Sequence, residues 1–146
     1  MVMVDTFTKW MECIPFPSQT AEVTNKAAVN DFFSRFGCTF QTFTNQGRNF
    51  ENKLFRAFYE LLLVHKAPTI QYRPSANGQV ERYNCTIMDA VRCYVDKAQN
   101  CWNKNPAQIA GALRSAVNRN SGFRASKLML GLEVNTSADL LYPAPR

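Results

Sequence analysis

Apolar residues along this chain recur at two spacings, one typical of strands and one typical of helices. Residues 1–5 and about 9–15 are apolar-rich runs on either side of a short polar stretch, which predicts a β-hairpin. Residues 21–36 carry apolar side chains at helical spacing. Thr20 can cap this helix and Gly37 can end it, so its predicted bounds are sharp.

Strands and helices continue to alternate over the rest of the chain. A Phe- and Thr-rich run predicts a buried strand over 39–44, and a second short strand is predicted over 64–70, where Pro68 favours an edge position. Helical spacing predicts further helices over 51–63, 79 to about 99, 106 to about 118 and 126–130. A hairpin followed by alternating helices and strands predicts an α/β domain.

Length and composition narrow the class of protein. A chain of 146 residues with 46% hydrophobic content is large enough for one buried core. We expect one domain over 1–131 and a C-terminal tail over 132–146, because the tail is flanked by prolines. The net charge of +6 favours a polyanionic partner such as nucleic acid. No apolar run approaches the length of a membrane span, so no membrane partner is expected.

Cysteine and histidine usage argues against a zinc site. The five cysteines are odd in number and show no Cys-x-x-Cys spacing, and His65 is the single histidine. Free thiols in a reducing, intracellular compartment are the expected state.

The segment Tyr72–Tyr83 carries the most informative pattern for chemistry. Pro74 and the Asn-Gly pair at 77–78 predict a turn, and helix is expected from Gln79 onward. Glu81 is therefore expected in the first helical turn, where the positive end of the helix dipole favours an ionised carboxylate. A carboxylate beside a loop suits a divalent metal held against a phosphate, although an acid that only helps to start a helix has the same pattern.

This dodecapeptide resembles the signature around the last catalytic acid of retroviral and gypsy-type retrotransposon integrases. Other segments resemble motifs of the same catalytic core in the same order: Val4–Trp10, Phe36–Cys38, Thr44–Phe50, Ser121–Phe123 and Leu128–Gly131. The resemblance implies a ribonuclease H-like mixed sheet flanked by helices. It also implies descent from a polynucleotidyl transferase that integrates DNA.

The departures from the family pattern bear on catalysis. Integrases of this type use three acids to hold two magnesium or manganese ions, and the second acid position here is Asn45. The first acid lies on a strand upstream of the one that ends at Asp5, and we expect the sheet to lack this central strand. Asp5 itself is expected to accept hydrogen bonds in a turn and to be non-catalytic. Glu81 alone remains, so we expect no bound metal and an inactive enzyme remnant.

The resemblance also implies which residues meet DNA. It places Tyr72 and Asn77 on the loop near a DNA end, and Arg73 and Arg82 near phosphates. We expect weak, sequence-independent DNA binding, a dimer surface of the kind that integrase cores use, and a nuclear location if the protein is functional. Two alternatives remain open: an active metal-dependent integrase with Glu81 at its centre when upstream sequence completes it, and a non-enzymatic protein-interaction domain.

Overall fold

The computed structural model describes most of the chain as two compact units. The described residues are 1–45, 47–68, 75–94 and 106–141. Clustering of contacts assigns Met1 and Ile14–Cys85 to the first unit, and Val2–Cys13 and Thr86–Arg146 to the second.

The described residues contain four short strands and eight α-helices. The strands are β1 (Val2–Val4), β2 (Met11–Cys13), β3 (Gln41–Thr44) and β4 (His65–Pro68). The helices are α1 (Ala21–Ala28), α2 (Ser34–Phe36), α3 (Arg48–Glu51), α4 (Lys53–Leu61), α5 (Ser75–Tyr94), α6 (Pro106–Ser115), α7 (Ala125–Leu130) and α8 (Ser137–Leu141). A π-helical segment, Val29–Phe33, joins α1 to α2.

The first unit contains the parallel pair β3 and β4, in which Gln41 lies opposite His65 and Thr44 opposite Pro68. Helix α4 supplies the core beneath this pair. Phe55 and Tyr59 are 1% and 4% exposed, and their rings stack with centroids 4.4 Å apart. Burial raises the pKa of the Tyr59 hydroxyl to about 12.

The helix predicted over 21–36 is present with both of its predicted ends. The Thr20 hydroxyl accepts a hydrogen bond from the Val23 N–H at 3.4 Å, and the helix ends at Gly37, whose φ is +82°. Its middle, Val29–Phe33, is π-helical, which apolar spacing alone does not reveal.

The second unit contains the predicted hairpin, in which β1 and β2 pair antiparallel with Val4 opposite Met11. One carboxylate oxygen of Asp5 accepts hydrogen bonds from the Thr8 N–H at 2.7 Å and the Thr8 hydroxyl at 2.6 Å. These contacts confirm the turn role predicted for Asp5. Lys9 completes the turn with φ +66°.

An ion pair joins β2 to α6 within the second unit. The Arg114 guanidinium lies 2.8 Å from a Glu12 carboxylate oxygen and donates to the Met11 carbonyl at 3.1 Å. The guanidinium also lies over the Trp10 ring, 4.5 Å from its centroid. Trp10 in turn donates its indole N–H to Glu12 at 3.0 Å, so the four residues form one connected cluster.

The mixed α/β prediction is confirmed, with two two-stranded sheets in the described residues. The absence of a central strand and the division at residue 131 stay predictions. Helix α8 lies inside the segment predicted as a tail, and Asp139 accepts hydrogen bonds from the N–H and hydroxyl of Thr136 at its start. None of the described helices is both long enough and apolar enough to cross a membrane.

Candidate functional site

Strand β3 delivers Asn45 to an exposed loop at its carboxyl end. The Asn45 side-chain oxygen accepts a hydrogen bond from the Gly47 N–H at 3.2 Å, which closes a small turn before α3. The position predicted for the second acid therefore holds a neutral amide, and the amide oxygen accepts a hydrogen bond from the backbone of its own loop.

A side chain at position 47 would crowd two asparagines of this loop. A Cβ atom there would lie 2.7 Å from the Asn49 side-chain oxygen and 3.0 Å from that of Asn45. Asn49 is itself held, because its side-chain nitrogen donates to the Thr24 hydroxyl at 3.3 Å. Thr24 is fully buried on α1, so the loop is anchored to the core of the first unit. Nothing in the sequence pattern singled out Asn49.

Glu81 lies on the exposed side of α5, but not where the sequence predicted it. The helix begins at Ser75, so Glu81 is its seventh residue and lies in the second turn. The predicted first-turn position is wrong, because the Asn-Gly pair is accommodated inside the helix at a penalty of about 1 kcal/mol for the glycine. The helix dipole acts mainly on the first turn, so it gives Glu81 little of the stabilisation that the sequence argument assumed.

The other predicted contact residues are only partly described. Tyr72 and Arg73 lie outside the described residues. Asn77 lies in the first turn of α5, so the predicted loop position is wrong for this residue, and its side chain falls outside the description. Arg82 is exposed on α5, next to Glu81. Asn45 and Glu81 both fall within the first unit, whereas Asp5 belongs to the second.

The described donors do not fit a pair of divalent cations. Within 1–45, 47–68, 75–94 and 106–141, no three or more His, Cys, Asp or Glu side chains form a group that could hold a metal. Asn45 adds a carbonyl oxygen but no negative charge, and that oxygen already accepts from Gly47. Two dications held close together need several carboxylates to offset their repulsion. Of the two described positions that resemble the family's acids, Asn45 and Glu81, only Glu81 is acidic.

Two cations beside the Asn45 loop escaped the sequence analysis. Arg48 begins α3 and Lys53 begins α4, and both side chains are exposed. Neither forms an ion pair with any described residue. Their signal in the sequence was weak, since scattered basic residues are usually solvated surface charges.

The neighbouring cations Lys66 and Arg56 are both paired with the single carboxylate of Glu51. Its carboxylate lies 2.7 Å from the Lys66 amine and 3.1 Å from the Arg56 guanidinium. Hydrogen bonds from Lys66 and then Arg56 lower the pKa of Glu51 below its ordinary value. These three residues, with Tyr59, Glu60, Val64 and His65, line an open cleft of about 350 Å³. Its lining carries both signs of charge, so it does not single out an anionic ligand.

Sequence comparison finds similarity to retroviral polyproteins, whereas no family model matches the chain. The chain is 35% identical over 91 residues to the Gag-Pol polyprotein of avian reticuloendotheliosis virus, and 34% identical over 91 residues to the Pol polyprotein of radiation murine leukemia virus (strain Kaplan). Each alignment covers 62% of this chain. The chain spans only 8% and 16% of the length of these two relatives.

Structural comparison identifies the fold. The HTLV-2 integrase catalytic core domain, solved in complex with magnesium in a trimeric form, matches with a TM-score of 0.72 and 21% identity over 88% of this chain and 82% of its own. The BIV integrase catalytic core matches with a TM-score of 0.70 and 19% identity, over 89% of this chain and 84% of its own. A chain of the simian T-cell lymphotropic virus intasome matches with a TM-score of 0.74 and 19% identity. This match covers 99% of the present chain and 50% of the intasome chain.

At these identities the solved structures show the fold alone. The chain therefore has the ribonuclease H-like fold of the retroviral integrase catalytic cores, and over 91 residues its sequence is similar to retroviral Pol polyproteins.

Proposed function

We propose that this domain binds DNA without catalysing its integration, as a remnant of a metal-dependent polynucleotidyl transferase. The proposal rests on Asn45, which by resemblance to the family stands at the second acid position and whose side-chain oxygen accepts a hydrogen bond from the Gly47 N–H at 3.2 Å. Because Asn45 lies inside the chain, this substitution holds whatever sequence precedes Met1.

The loss of one acid affects catalysis more than it affects binding. Two-metal phosphoryl transfer depends on a specific set of anionic ligands around both ions. Sequence-independent DNA binding depends on cations that release counterions from the phosphate backbone, and it tolerates many changes at the catalytic centre. The domain carries 17 lysines and arginines against 11 acids.

Arg48 and Lys53 are the proposed phosphate contacts of the first unit, in addition to Arg73 and Arg82. Both flank the segment that follows Asn45, and neither is paired with a described acid. Tyr72 and Asn77 remain proposed contacts near a DNA end, by resemblance to the family.

Binding of a labelled DNA duplex at several salt concentrations tests this proposal. We expect log K to fall linearly with log salt, with a slope of about −0.9 for each phosphate neutralised. The variant R48Q/K53Q should therefore reduce the slope by about 2.

The matched control R35Q/R92Q removes the same charge from residues that are ion-paired with Asp31 and Asp89. Its slope should change less than that of R48Q/K53Q. Equal effects of the two variants would reject the assignment of Arg48 and Lys53, and salt-independent or absent binding would reject the DNA-binding function.

Self-association is the second part of the proposal. The HTLV-2 core that this chain resembles was solved in a trimeric form. This trimer supports self-association in general, and the family resemblance supports a homodimer, so we propose that the domain forms a homodimer. Light scattering after gel filtration tests it. A monomer at all concentrations would contradict it.

A further inference from the structure

The segment between α6 and α7 forms a tightly hydrogen-bonded reverse turn over residues 117–124. Val117 and Arg124 form an isolated antiparallel bridge at its base. The Asn118 N–H donates to the Phe123 carbonyl at 2.9 Å, and the Gly122 N–H donates to the Asn118 carbonyl at 2.8 Å. Backbone hydrogen bonds therefore join the two ends of the turn.

Side-chain bonds fix the interior of the same turn. The Asn118 side-chain oxygen accepts from the N–H groups of Asn120 at 3.0 Å and Ser121 at 3.3 Å. Gly122 has φ +72°, which a side chain would disfavour. A surface held this way loses little conformational entropy when a ligand binds.

The 117–124 turn exposes an aromatic ring, Phe123, with a cation four residues away along the chain on each side, Arg119 and Lys127. Phe123 is 54% exposed. Arg119 within the turn and Lys127 on α7 are both exposed, and neither forms an ion pair with a described residue. The acids Glu133 and Asp139 each lie 3.8 Å from Arg124, so they pair with Arg124 and not with Arg119 or Lys127.

We propose that the 117–124 turn binds single-stranded nucleic acid, with Phe123 stacked on an unpaired base and Arg119 and Lys127 on the flanking phosphates. This inference rests on the proposed DNA-binding function and adds a second, single-strand contact in the second unit. An aromatic face beside cations is the combination that such proteins use, because every base offers a π-face. Bases inside a duplex are already stacked, so this contact favours single strands or frayed ends.

Substitutions at Phe123 separate stacking from simple apolar contact. Leucine keeps the apolar character without a ring, whereas tryptophan keeps an aromatic face. With a fluorescein-labelled oligothymidylate, F123L should weaken binding by between about 5-fold and about 100-fold, and F123W should retain it. R119Q and K127Q should each reduce the salt slope by about 0.7.

The matched aromatic control is Phe7, which is 78% exposed on the hairpin turn of the same unit. F7L should leave oligothymidylate binding unchanged. Circular dichroism melts of F123L and F123W verify that both variants fold.

Equal binding by F123L and F123W, or an equal loss in F7L, would overturn the stacking proposal, as would a failure of the unaltered protein to bind oligothymidylate. After any of these three results, the proposed function would be decided by the duplex experiment on Arg48 and Lys53 alone. Retained duplex binding with no effect at Phe123 would reject this inference alone. Loss at Phe123 without any duplex binding would support this inference and reject the proposed duplex function.

Discussion

At the scale of single residues, Asn45 links the architecture of the site to its chemistry. Its amide oxygen closes the loop on the Gly47 N–H, a role that a carboxylate oxygen can also fill. The loop can therefore keep the same geometry with asparagine or aspartate at position 45. The two residues differ in the negative charge that they offer to a cation.

Asn45→Asp should therefore strengthen the binding of a divalent cation. The new carboxylate should keep the Gly47 contact and add the negative charge that a divalent cation requires. Calorimetric titration with manganese should show tighter binding to N45D than to the unaltered protein, and N45D/E81Q should lose the gain. Equal manganese affinity of N45D and the unaltered protein would contradict the prediction.

Glu51 gives a prediction for pH dependence. Its pKa is lowered by hydrogen bonds from Lys66 and then Arg56, so the unfolded chain binds the proton more readily than the folded protein does. The stabilisation is fully present above the ordinary glutamate pKa of about 4.3 and is lost as the pH falls through the lower folded pKa.

Replacement of Glu51 by glutamine should therefore lower the melting temperature at neutral pH, and the difference from the unaltered protein should shrink below about pH 4. Thermal melts across this range measure it. The control is E60Q, since Glu60 lies on the same cleft but forms no ion pair with a described residue. A difference between E51Q and the unaltered protein that does not depend on pH would refute the assignment.

At the scale of elements, a side-chain cap precedes two helices of the first unit, α1 and α4. The Asn52 side-chain oxygen accepts from the Phe55 N–H at 2.8 Å and starts α4. N52A should lower the free energy of unfolding by about 1 kcal/mol, and N52G should lower it by only about 0.3 kcal/mol. Denaturant unfolding measures both, and an N52A variant as stable as the unaltered protein would show that the cap does not set the start of α4.

The cluster between β2 and α6 should contribute strongly to the second unit. The side chains of Arg114 and Glu12 are only 19% and 12% exposed, so removal of one partner leaves a largely buried charge. We expect R114M to lower the free energy of unfolding by roughly 2–4 kcal/mol, somewhat less than for a fully buried pair.

The double variant E12Q/R114M should lose less than the sum of the two single changes, because it leaves no unpaired charge. A double-mutant cycle in denaturant measures this coupling. Additive losses would show that the ion pair contributes nothing beyond packing against Trp10.

At the scale of the whole molecule, local sequence signals predicted most elements and long-range contacts escaped them. Thr20 and Gly37 gave the bounds of a helix correctly because capping depends on nearby residues. The start of α5 was wrong because a strong turn dipeptide yielded to the helix around it. The π-helical segment had no local signature that apolar spacing could reveal.

The candidate site was predictable only in part, for the same reason. Resemblance identified Asn45 and Glu81 by position, but the tether from Asn49 to Thr24 joins residues 25 positions apart. The Arg114 and Glu12 pair joins residues 102 positions apart. Contacts of this range follow from tertiary packing, which periodicity and motif spacing do not encode.

Manganese-dependent DNA joining is the decisive assay for the loss of catalysis in this domain. The unaltered protein and E81Q are compared for cleavage and joining of labelled DNA ends, under conditions in which both bind the DNA. We expect the two proteins to be indistinguishable and to show no activity above a protein-free control. Activity in the unaltered protein that E81Q abolishes would contradict it.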